Sequence, residues 1–426
     1  MIKLIIADDF TGSNDAGVQL VNKGLVVNVV FDWEKANLSK KYGIQEIKND
    51  NHEVMVVNTE SRAVSNEEAK KRIQTVITNN PNLKQIYKKI DSTLRGNIGT
   101  EIAALLDNIK NKVALVIPAF PNMNRTTING NCYINGIELV KTEFASDPKT
   151  PIYSSNIKAC IEQQTNHSCD EIYLDKVRSG VLKQHIENAI NNEKKIIVID
   201  AETNDDLQHI VEQILPLQDK LLLVGSAGLI DFLPIHHHEK RSTKLKSSTH
   251  PLLVIAGSMS EKTQQQINYT AKHKDNLIIF DINVADLLSN ISLSKLSQLA
   301  KEIQSQLDCQ KHCIVRTSSN IAERYKVEDY CQEYNLTREQ LGEQICQSLG
   351  LLVKQLQFEN LFLTGGDVAI AVAKSLGAIG FRIEGQVSLG VPYGQLISNK
   401  LLSYRVFTKA GGFGSNDIFL RTLEFI

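Results

Sequence analysis

Residues 1–15 of the chain, MIKLIIADDFTGSND, decide its fold class. The apolar run Leu4–Ala7 is short, and two adjacent acids, Asp8 and Asp9, follow it directly before a glycine turn. Such a run is typical of a buried parallel strand, and open α/β sheets bind ligands beyond the carboxyl ends of their strands. The stretch therefore predicts an α/β protein with polar site residues after its first strand and a helix beginning near Asp15. Because neighbouring strand residues point to opposite sides, we expect at most one of the two acids to face a ligand.

The same alternation of strand-like and helix-like segments recurs along the first half of the chain. Further short apolar runs occur at Val26–Phe31, Val54–Val57, Val113–Ile117, Lys195–Ile199 and Leu221–Val224. Between them, Asn66–Thr78 and Gly96–Ile109 have apolar residues spaced by three and four, as amphipathic helices do. The alternation predicts a mostly parallel sheet wrapped by helices. Two Asn-Gly turn signals within Thr126–Leu139 predict a hairpin or small β insert beside that sheet.

The alternation stops once, around Leu233–His250. This stretch contains Pro234, three adjacent histidines and a polar run, a composition that is typical of a linker. Strand-like runs then restart at Leu252–Ala256, Leu277–Phe280, Cys313–Arg316 and Leu361–Thr364. The sequence therefore predicts two α/β domains with mostly parallel sheets, residues 1–232 and 251–426, joined by a linker at residues 233–250.

Composition places the chain among ordinary globular proteins. Of its 426 residues, 47 are Lys or Arg and 48 are Asp or Glu, which gives a net charge of −1. Proteins that bind nucleic acid usually carry a basic excess, so nucleic acid is not an expected partner. No long apolar run and no signal-peptide pattern occur, so we expect a cytoplasmic protein without a membrane span. The seven scattered cysteines and the adjacent histidines lack the spacing of metal ligands, and we predict no protein-borne metal site.

Polar clusters in the first domain suit an anionic polyol. The segment Lys88–Asn97 follows a strand-like run and offers Lys89 and Arg95 as cations together with an acid and a hydroxyl. Arg62, after the third strand, is expected at the same edge. Cations suit a carboxylate, and Asp91 and Ser92 suit hydroxyl groups. A capping role at the start of the next helix is the alternative for Asp91 and Ser92.

Three glycine-rich turns in the second domain suit phosphate groups. They are Gly257-Ser258, Thr364-Gly365-Gly366-Asp367 and the turn that contains Gly411. Exposed backbone amides at such turns and at helix N-termini bind phosphate. The first turn is not a Walker A loop, because Ala256 and Glu261 occupy the two glycine positions. Together, the clusters predict a substrate-binding half and a nucleotide-binding half.

Four strings identify a family resemblance. They are ADDFTGSND (7–15), KIDSTLRGN (89–97), PAFP with RTTING (118–130) and TGGD (364–367). In this order, and nearly end to end, the chain resembles the four-carbon acid sugar kinase family, which includes D-threonate, D-erythronate and 3-oxo-tetronate kinases. The resemblance implies an N-terminal domain that binds an acid sugar, a C-terminal domain that binds nucleotide, and ATP-dependent phosphorylation of the terminal (4-) hydroxyl of a four-carbon sugar acid, with Mg²⁺ accompanying ATP.

The resemblance also implies roles for individual residues. Asp9, Arg62, Lys89, Ile90, Asp91 and Ser92 are implied substrate ligands, to which we add Arg95. The implied nucleotide ligands are Ser258, Thr364, Gly365, Gly366, Asp367 and Gly411. Asp9, Asp91 and Asp367 all stay open as the catalytic base. The chain departs from the family pattern at Gly412, where relatives often carry asparagine.

The end of the first motif is most similar to the D-threonate branch, with D-erythronate and 3-oxo-tetronate as alternative substrates. Two other classes of function compete with the kinase. A dinucleotide-dependent oxidoreductase is disfavoured, because Asp8 and Asp9 stand where a phosphate-binding glycine motif is required. A sugar-acid binding or sensing protein stays an alternative that predicts binding without turnover. The expected partners are the sugar acid and ATP. A homodimer is expected only because dimers are the commonest assemblies of soluble proteins.

Overall fold

In a computed structural model of the chain, the described residues form two compact units, one from those up to residue 234 and one from those at residue 248 and beyond. The described residues are 2–36, 53–81, 85–147, 149–234, 248–257, 260–288, 292–318, 326–398 and 404–426. Most of the predicted linker, residues 235–247, lies outside the described residues, so the linker and the domain limits stay predictions. None of the helices in the described ranges combines the length and apolar character needed to cross a bilayer.

The first unit contains a parallel eight-stranded sheet and a small antiparallel one. The strands are β1 (Leu4–Ala7), β2 (Val26–Val30), β3 (Glu53–Asn58), β4 (Ile86–Lys89), β5 (Val113–Ile117), β6 (Arg125–Ile128), β7 (Asn131–Ile134), β8 (Ile137–Glu138), β9 (Cys169–Ile172), β10 (Ile196–Ile199) and β11 (Leu221–Gly225). The large sheet has the order β2-β3-β1-β4-β11-β5-β10-β9, and each adjacent pair in it is parallel. The last strand, β11, therefore lies between β4 and β5. Most of these strands are predominantly apolar because helices cover a parallel sheet on both faces, whereas β4 (IYKK) ends in two lysines and the edge strand β9 (CDEI) carries two acids.

The helices of this unit are α1 (Phe10–Asn22), α2 (Asn66–Thr78), α3 (Ile98–Asn108), α4 (Ile157–Glu162), α5 (Leu174–Arg178), α6 (Leu182–Asn191), α7 (Asn204–Ile214) and α8 (Ala227–Phe232). Two helix starts differ from the sequence prediction. Helix α1 begins at Phe10, not near Asp15, because Asp9 is its N-cap and accepts a hydrogen bond from the Gly12 amide. Helix α3 begins at Ile98 after Asn97, so capping of this helix by Asp91 or Ser92 is wrong.

The predicted β insert is confirmed as the sheet β6-β7-β8. Its two Asn-Gly pairs, Asn129-Gly130 and Asn135-Gly136, form the tight turns between successive antiparallel strands. All four residues have positive φ, between 51° and 76°, which is the geometry of the type I′ hairpin turn. Asparagine and glycine are the residues that adopt this conformation at least cost.

The second unit has one mixed sheet. Its strands are β12 (Leu252–Ala256), β13 (Leu277–Asp281), β14 (His312–Arg316), β15 (Asn360–Thr364), β16 (Ala378–Ser388), β17 (Val391–Ser398) and β18 (Arg405–Lys409). Its helices are α9 (Glu261–His273), α10 (Val284–Leu288), α11 (Ser292–Asp308), α12 (Val327–Glu333), α13 (Arg338–Val353), α14 (Gly366–Ser375) and α15 (Ile418–Phe425). The sheet order is β13-β14-β12-β15-β18-β17-β16, parallel as far as β18 and antiparallel beyond it. The fold class, α/β with mostly parallel pairing, is as the sequence predicts.

Candidate active site

The polar loops of the first unit lie at one edge of its large sheet. Strand β1 pairs in parallel with both β3 and β4, so Ala7 lies opposite Asn58 on one side and Lys89 on the other. The segments that follow these three strand ends are therefore neighbours at the carboxyl edge, where open α/β sheets bind ligands. The structure brings together Asp9, Arg62 and Lys89–Arg95.

The guanidinium of Arg62 joins the two acids that follow β1. Its Nε donates to Asp8 Oδ2 at 2.7 Å, and its Nη2 donates to Asp9 Oδ1 at 2.7 Å and to Asp8 Oδ1 at 3.2 Å. Burial raises the pKa of Asp8, but Arg62 and Lys88 outweigh it and hold that pKa below its usual value. Both acids therefore contact one cation. The alternation of side chains along a strand does not predict that both acids contact the same cation, because Asp9 is the cap of α1 and not part of the strand.

The first turn of α1 brings Asp9 close to Lys89. Asp9 accepts hydrogen bonds from the Gly12 amide at 2.9 Å and from Thr11 Oγ1 at 2.6 Å. A Cβ atom on Gly12 would lie 2.4 Å from Asp9 Oδ1 and 2.9 Å from Lys89 Nζ, so only glycine leaves room for both side chains. Lys89 is 4% exposed and its Nζ donates to the Ile90 carbonyl at 3.0 Å. Within the described ranges, no carboxylate forms an ion pair with Lys89.

Asp91 opens a strained turn. Its Oδ2 accepts hydrogen bonds from Thr93 Oγ1 at 2.5 Å and from Arg95 Nε at 2.6 Å. Burial raises the pKa of Asp91, but Arg95 and Arg62 outweigh it, so the pKa lies well below its usual value. Leu94 has a φ of 56°, in the left-handed region, where a branched side chain costs roughly 1 kcal/mol or more. Backbone strain at such a position is typical of a turn that serves a ligand site.

Arg95 is already paired, as Arg62 is. Its Nη1 donates to Asp147 Oδ2 at 2.9 Å, and its guanidinium carbon lies 5.2 Å from the centre of the Phe144 ring. Ile90 and Ser92, the other predicted ligands of this turn, are both buried. Lys89 is therefore the predicted cation of this edge that has no carboxylate partner among the described residues.

A buried ion pair lies under the edge. Lys88 Nζ and Glu101 Oε2 are 2.8 Å apart, and both side chains are at most 1% exposed. Ser61 Oγ also donates to Glu101. Glu101, in α3, therefore contacts the side chains of Ser61 and Lys88, which directly precede Arg62 and Lys89 in the sequence, and so links the two segments.

Asp15 is a further candidate site residue, which the sequence analysis names only as a helix start. It lies in α1 and is 7% exposed, and no hydrogen bond reaches its carboxylate within the described part of the chain. Burial raises its pKa to about 7, with Lys89 opposing and Asp9 adding to the shift. A signal existed in the sequence, because Asp15 is the single charged residue between Phe10 and Asn22. A lone acid in a helix without other charges is a candidate for burial at a site.

The predicted phosphate-binding turns of the second unit also lie at one sheet edge. Ala256 at the end of β12 pairs with Thr364 at the end of β15, and Thr364 pairs with Lys409 at the end of β18. A Cβ atom on Gly257 would lie 2.2 Å from Val368 Cγ2, so glycine lets this turn pass close to α14. Gly365 has a φ of 98° and is the N-cap of α14.

The remaining predicted nucleotide ligands fall as follows. Gly366 and the exposed Asp367 form the first turn of α14, and Gly411 lies in the turn after β18. Gln266 Nε2 donates to three successive carbonyls of the same turn, Phe413 to Ser415, at 2.9 to 3.1 Å. Ser258 lies outside the described residues. The sequence analysis did not assign a role to Gln266 or Lys409, because the contacts of Gln266 with this turn and of Lys409 with Thr263 join segments that are distant in the sequence.

Comparison with known proteins defines the class. A family model described as a sugar-binding N-terminal domain matches residues 3–233, and one described as a nucleotide-binding C-terminal domain matches residues 253–419. The chain is thus a two-domain protein that pairs a sugar-binding domain with a nucleotide-binding one. It belongs to the four-carbon acid sugar kinase family, as its motifs predict.

Curated relatives match over nearly their whole length. The D-threonate kinase of Salmonella typhimurium is 36% identical over 433 residues, which cover 100% of this chain and 98% of the relative. The D-erythronate kinase of Heliobacterium modesticaldum is 27% identical, with 99% and 96% covered. Both are kinases, which favours the enzyme over the sugar-acid sensing protein. A crystal structure from Salmonella typhimurium LT2, described as a putative tRNA synthase, has a TM-score of 0.79 at 23% identity with both chains fully covered, and this likeness shows the fold alone.

Proposed function

We propose that the chain transfers the γ-phosphoryl group of ATP to the terminal hydroxyl of D-threonate, which gives D-threonate 4-phosphate. The observation that carries the proposal is the 36% identity, over the full chain, to a D-threonate kinase. The carboxyl edge of the first unit supports it, because cations and carboxylates together suit a ligand that has both a carboxylate and hydroxyl groups.

Lys89 is the proposed partner of the substrate carboxylate. Arg62 and Arg95 each bind two carboxylates already, whereas Lys89 Nζ has a neutral carbonyl as its hydrogen-bond acceptor. An anionic ligand would give this buried ammonium the ion-pair partner that it lacks among the described residues. Asp9 and Asp91 then serve as acceptors for substrate hydroxyl groups, held in place by the two arginines.

Four carboxylates are candidates to accept the proton of the attacking hydroxyl. Phosphoryl transfer depends mainly on positioning and on charge, and a proton acceptor works best when its pKa lies near the working pH. The pKa of Asp91 lies well below its usual value, which makes Asp91 a weak base, while that of Asp15 is about 7. Asp15 therefore joins Asp9, Asp91 and Asp367 in this set.

Mg²⁺ is the proposed companion of ATP. The described residues contain no group of three or more His, Cys, Asp or Glu side chains that could hold a metal ion. In the proposal, the ion arrives with the nucleotide and is held mostly by phosphate oxygens and water. When bound, it offsets the negative charge of the phosphates.

The test is an acceptor screen. Purified protein with Mg-ATP is offered D-threonate, L-threonate, D-erythronate, L-erythronate and 3-oxo-tetronate, and ADP release is followed while phosphorus NMR locates the new phosphoester. We expect turnover on D-threonate with the phosphate on C4. Turnover on D-erythronate or 3-oxo-tetronate would keep the family and correct the substrate, whereas ADP release with none of the acids would contradict the proposal.

Variants of the four carboxylates identify the base in the same assay. Asp9→Asn, Asp15→Asn, Asp91→Asn and Asp367→Asn are compared with Asp219→Asn, an exposed position in the first unit. Loss of general base catalysis lowers kcat by about 10²- to 10⁴-fold. A carboxylate whose asparagine variant keeps full kcat is excluded as the base.

A further inference from the structure

A buried lysine joins the phosphate-binding turns of the second unit. Lys409 is the last residue of β18 and is 1% exposed. Its Nζ donates to Thr263 Oγ1 at 3.1 Å, to the Ala410 carbonyl at 3.1 Å and to the Gly411 carbonyl at 3.0 Å. The side chain therefore lies directly against the glycine turn that follows its own strand.

The same contacts reach a neighbouring helix and a second glycine turn. Thr263, in the first turn of α9, donates from Oγ1 to the Gly411 carbonyl at 3.0 Å and lies 3.5 Å from Thr364 Oγ1. The Gly365 amide donates to the Lys409 carbonyl at 3.1 Å. Lys409 thus connects α9, the turn before α14 and the glycine turn after β18. The two turns carry the predicted nucleotide ligands Thr364–Asp367 and Gly411, and α9 follows the turn that contains Gly257.

Lys409 has no opposite charge within the described residues. All three acceptors of its ammonium are neutral, and no carboxylate pairs with it in the described ranges. Helix α9, the start of α14 and the turn after β18 lie around it. Among the charged side chains of these elements, Lys262 in α9 acts on Lys409 by charge repulsion. Burial and then Lys262 lower the pKa of Lys409 to about 7. An ammonium ion buried in this way lacks the partner that normally compensates its desolvation.

We propose that Lys409 is a positioning residue of the nucleotide site, which holds the glycine turn and takes up one proton from solvent when nucleotide phosphates bind beside it. The inference rests on the proposed function, because it requires nucleotide at these turns. A phosphate group supplies the missing negative charge, and an opposite charge within about 4 to 6 Å raises the pKa of a lysine by about 1 to 3 units. With a pKa of about 7, Lys409 in the empty protein releases its proton as the pH rises towards 8, and the neutral amine then donates at most two of the three hydrogen bonds. A phosphate that raises this pKa by about 2 units keeps Lys409 mostly protonated at pH 8.

Calorimetry tests the proton directly. ADP is titrated into wild-type protein at pH 8 in two buffers of different ionisation enthalpy, and the difference in binding enthalpy counts the protons taken up. We expect the wild type to take up close to one proton. Because protonation and binding are linked, the Kd for ADP should rise about tenfold between pH 7 and pH 8.5.

Variants separate this role from a structural one. Lys409→Met should bind ADP at least about tenfold more weakly at pH 7, with no proton uptake and a Kd that no longer depends on pH in this way. Lys272→Met, on the exposed end of α9, is the matched control and should behave as the wild type. Heat denaturation of each variant checks that it folds.

The outcomes are distinct for the two proposals. ADP binding to the wild type without proton uptake overturns the role of Lys409 and leaves the kinase proposal intact, even if Lys409→Met does not fold. Equal proton uptake by the wild type and by Lys409→Met also overturns it. Absence of ADP binding to the wild type contradicts the nucleotide-binding function itself.

Discussion

Replacing Asp15 by asparagine should stabilise the first unit at alkaline pH while it lowers kinase activity. Asp15 is 7% exposed, and its carboxylate has no hydrogen bond within the described part of the chain. Burial is the main cause of its raised pKa, so the folded protein resists ionisation of this group. Asparagine has nearly the same size and cannot ionise, and it removes that cost.

The size of the effect follows from the two pKa values. The folded pKa, about 7, is above the ordinary value of 3.8, so the contribution of Asp15 to stability is present in full below pH 3.8 and is lost as the pH rises to 7. Linkage gives a loss of about 2 kcal/mol at pH 5 and about 4 kcal/mol at pH 8. The stability difference between Asp15→Asn and the wild type should therefore grow by about 2 to 3 kcal/mol over this range.

Urea denaturation followed by tryptophan fluorescence measures this stability difference in the first unit of the protein. The chain has one tryptophan, Trp33, which packs against the core of the first unit. The free energy of unfolding is compared at pH 5 and pH 8 for the wild type, for Asp15→Asn and for the exposed control Asp219→Asn. The control should follow the wild type at both pH values.

Activity is measured on the same preparations. If Asp15 is buried for structural reasons alone, the more stable Asp15→Asn variant should have an equal or higher kcat. If Asp15 belongs to the site, the variant should have a lower kcat. A stability difference that does not change between pH 5 and pH 8 would refute the assignment of the raised pKa to Asp15. Unchanged kcat would remove Asp15 from the candidate bases.

Three further perturbations test other parts of the site. Gly12→Ala should raise the KM for the sugar acid about tenfold or more and leave the Kd for ADP unchanged. The reason is that the new Cβ would lie 2.4 Å from Asp9 Oδ1 and 2.9 Å from Lys89 Nζ. An unaltered KM in steady-state assays would contradict this geometry. Glu101→Gln should lower the free energy of unfolding in urea by about 3 kcal/mol, since it leaves Lys88 buried and unpaired. The double variant Lys88→Met with Glu101→Leu should recover most of this loss. If the losses of the two single changes simply add, the two side chains are not coupled. Arg95→Met should raise the pKa of Asp91, so the loss of kcat/KM on acidification should begin at a higher pH than in the wild type. Identical pH profiles of kcat/KM on the acid side would show that Arg95 does not hold Asp91 ionised.

The sequence predicted most strands because burial on both faces leaves a short apolar run that ends abruptly. The predicted runs Leu4–Ala7, Val113–Ile117 and Leu252–Ala256 match β1, β5 and β12 residue for residue. Predictions of where helices begin were weaker. At Asp9 and Asn97 the start depends on the local backbone conformation and not on apolar spacing.

Parts of the fold and of the site depend on contacts between distant segments. The long hairpin β16–β17 was not predicted, because glycines and register shifts interrupt its alternation of apolar and polar residues. For the site, the strand ends indicated which loops lie side by side. They could not show that Arg62 binds both Asp8 and Asp9, or that Lys409 contacts Thr263, because these pairs form only when the sheet is assembled.

The position of β11 also sets the order in which the first unit can be completed during synthesis. Leu221–Gly225 is the last strand of this unit in the sequence, yet it lies between β4 and β5 in the middle of the sheet. Until this segment leaves the ribosome, β4 and β5 each present an unpaired edge, and such edges can pair with other chains and aggregate. The backbone at Ile90, which donates to the Gly225 carbonyl, gains its partner at the same moment. A nascent chain or truncated fragment that stops before residue 221 therefore contains every predicted sugar-acid ligand and still lacks the strand that completes their sheet.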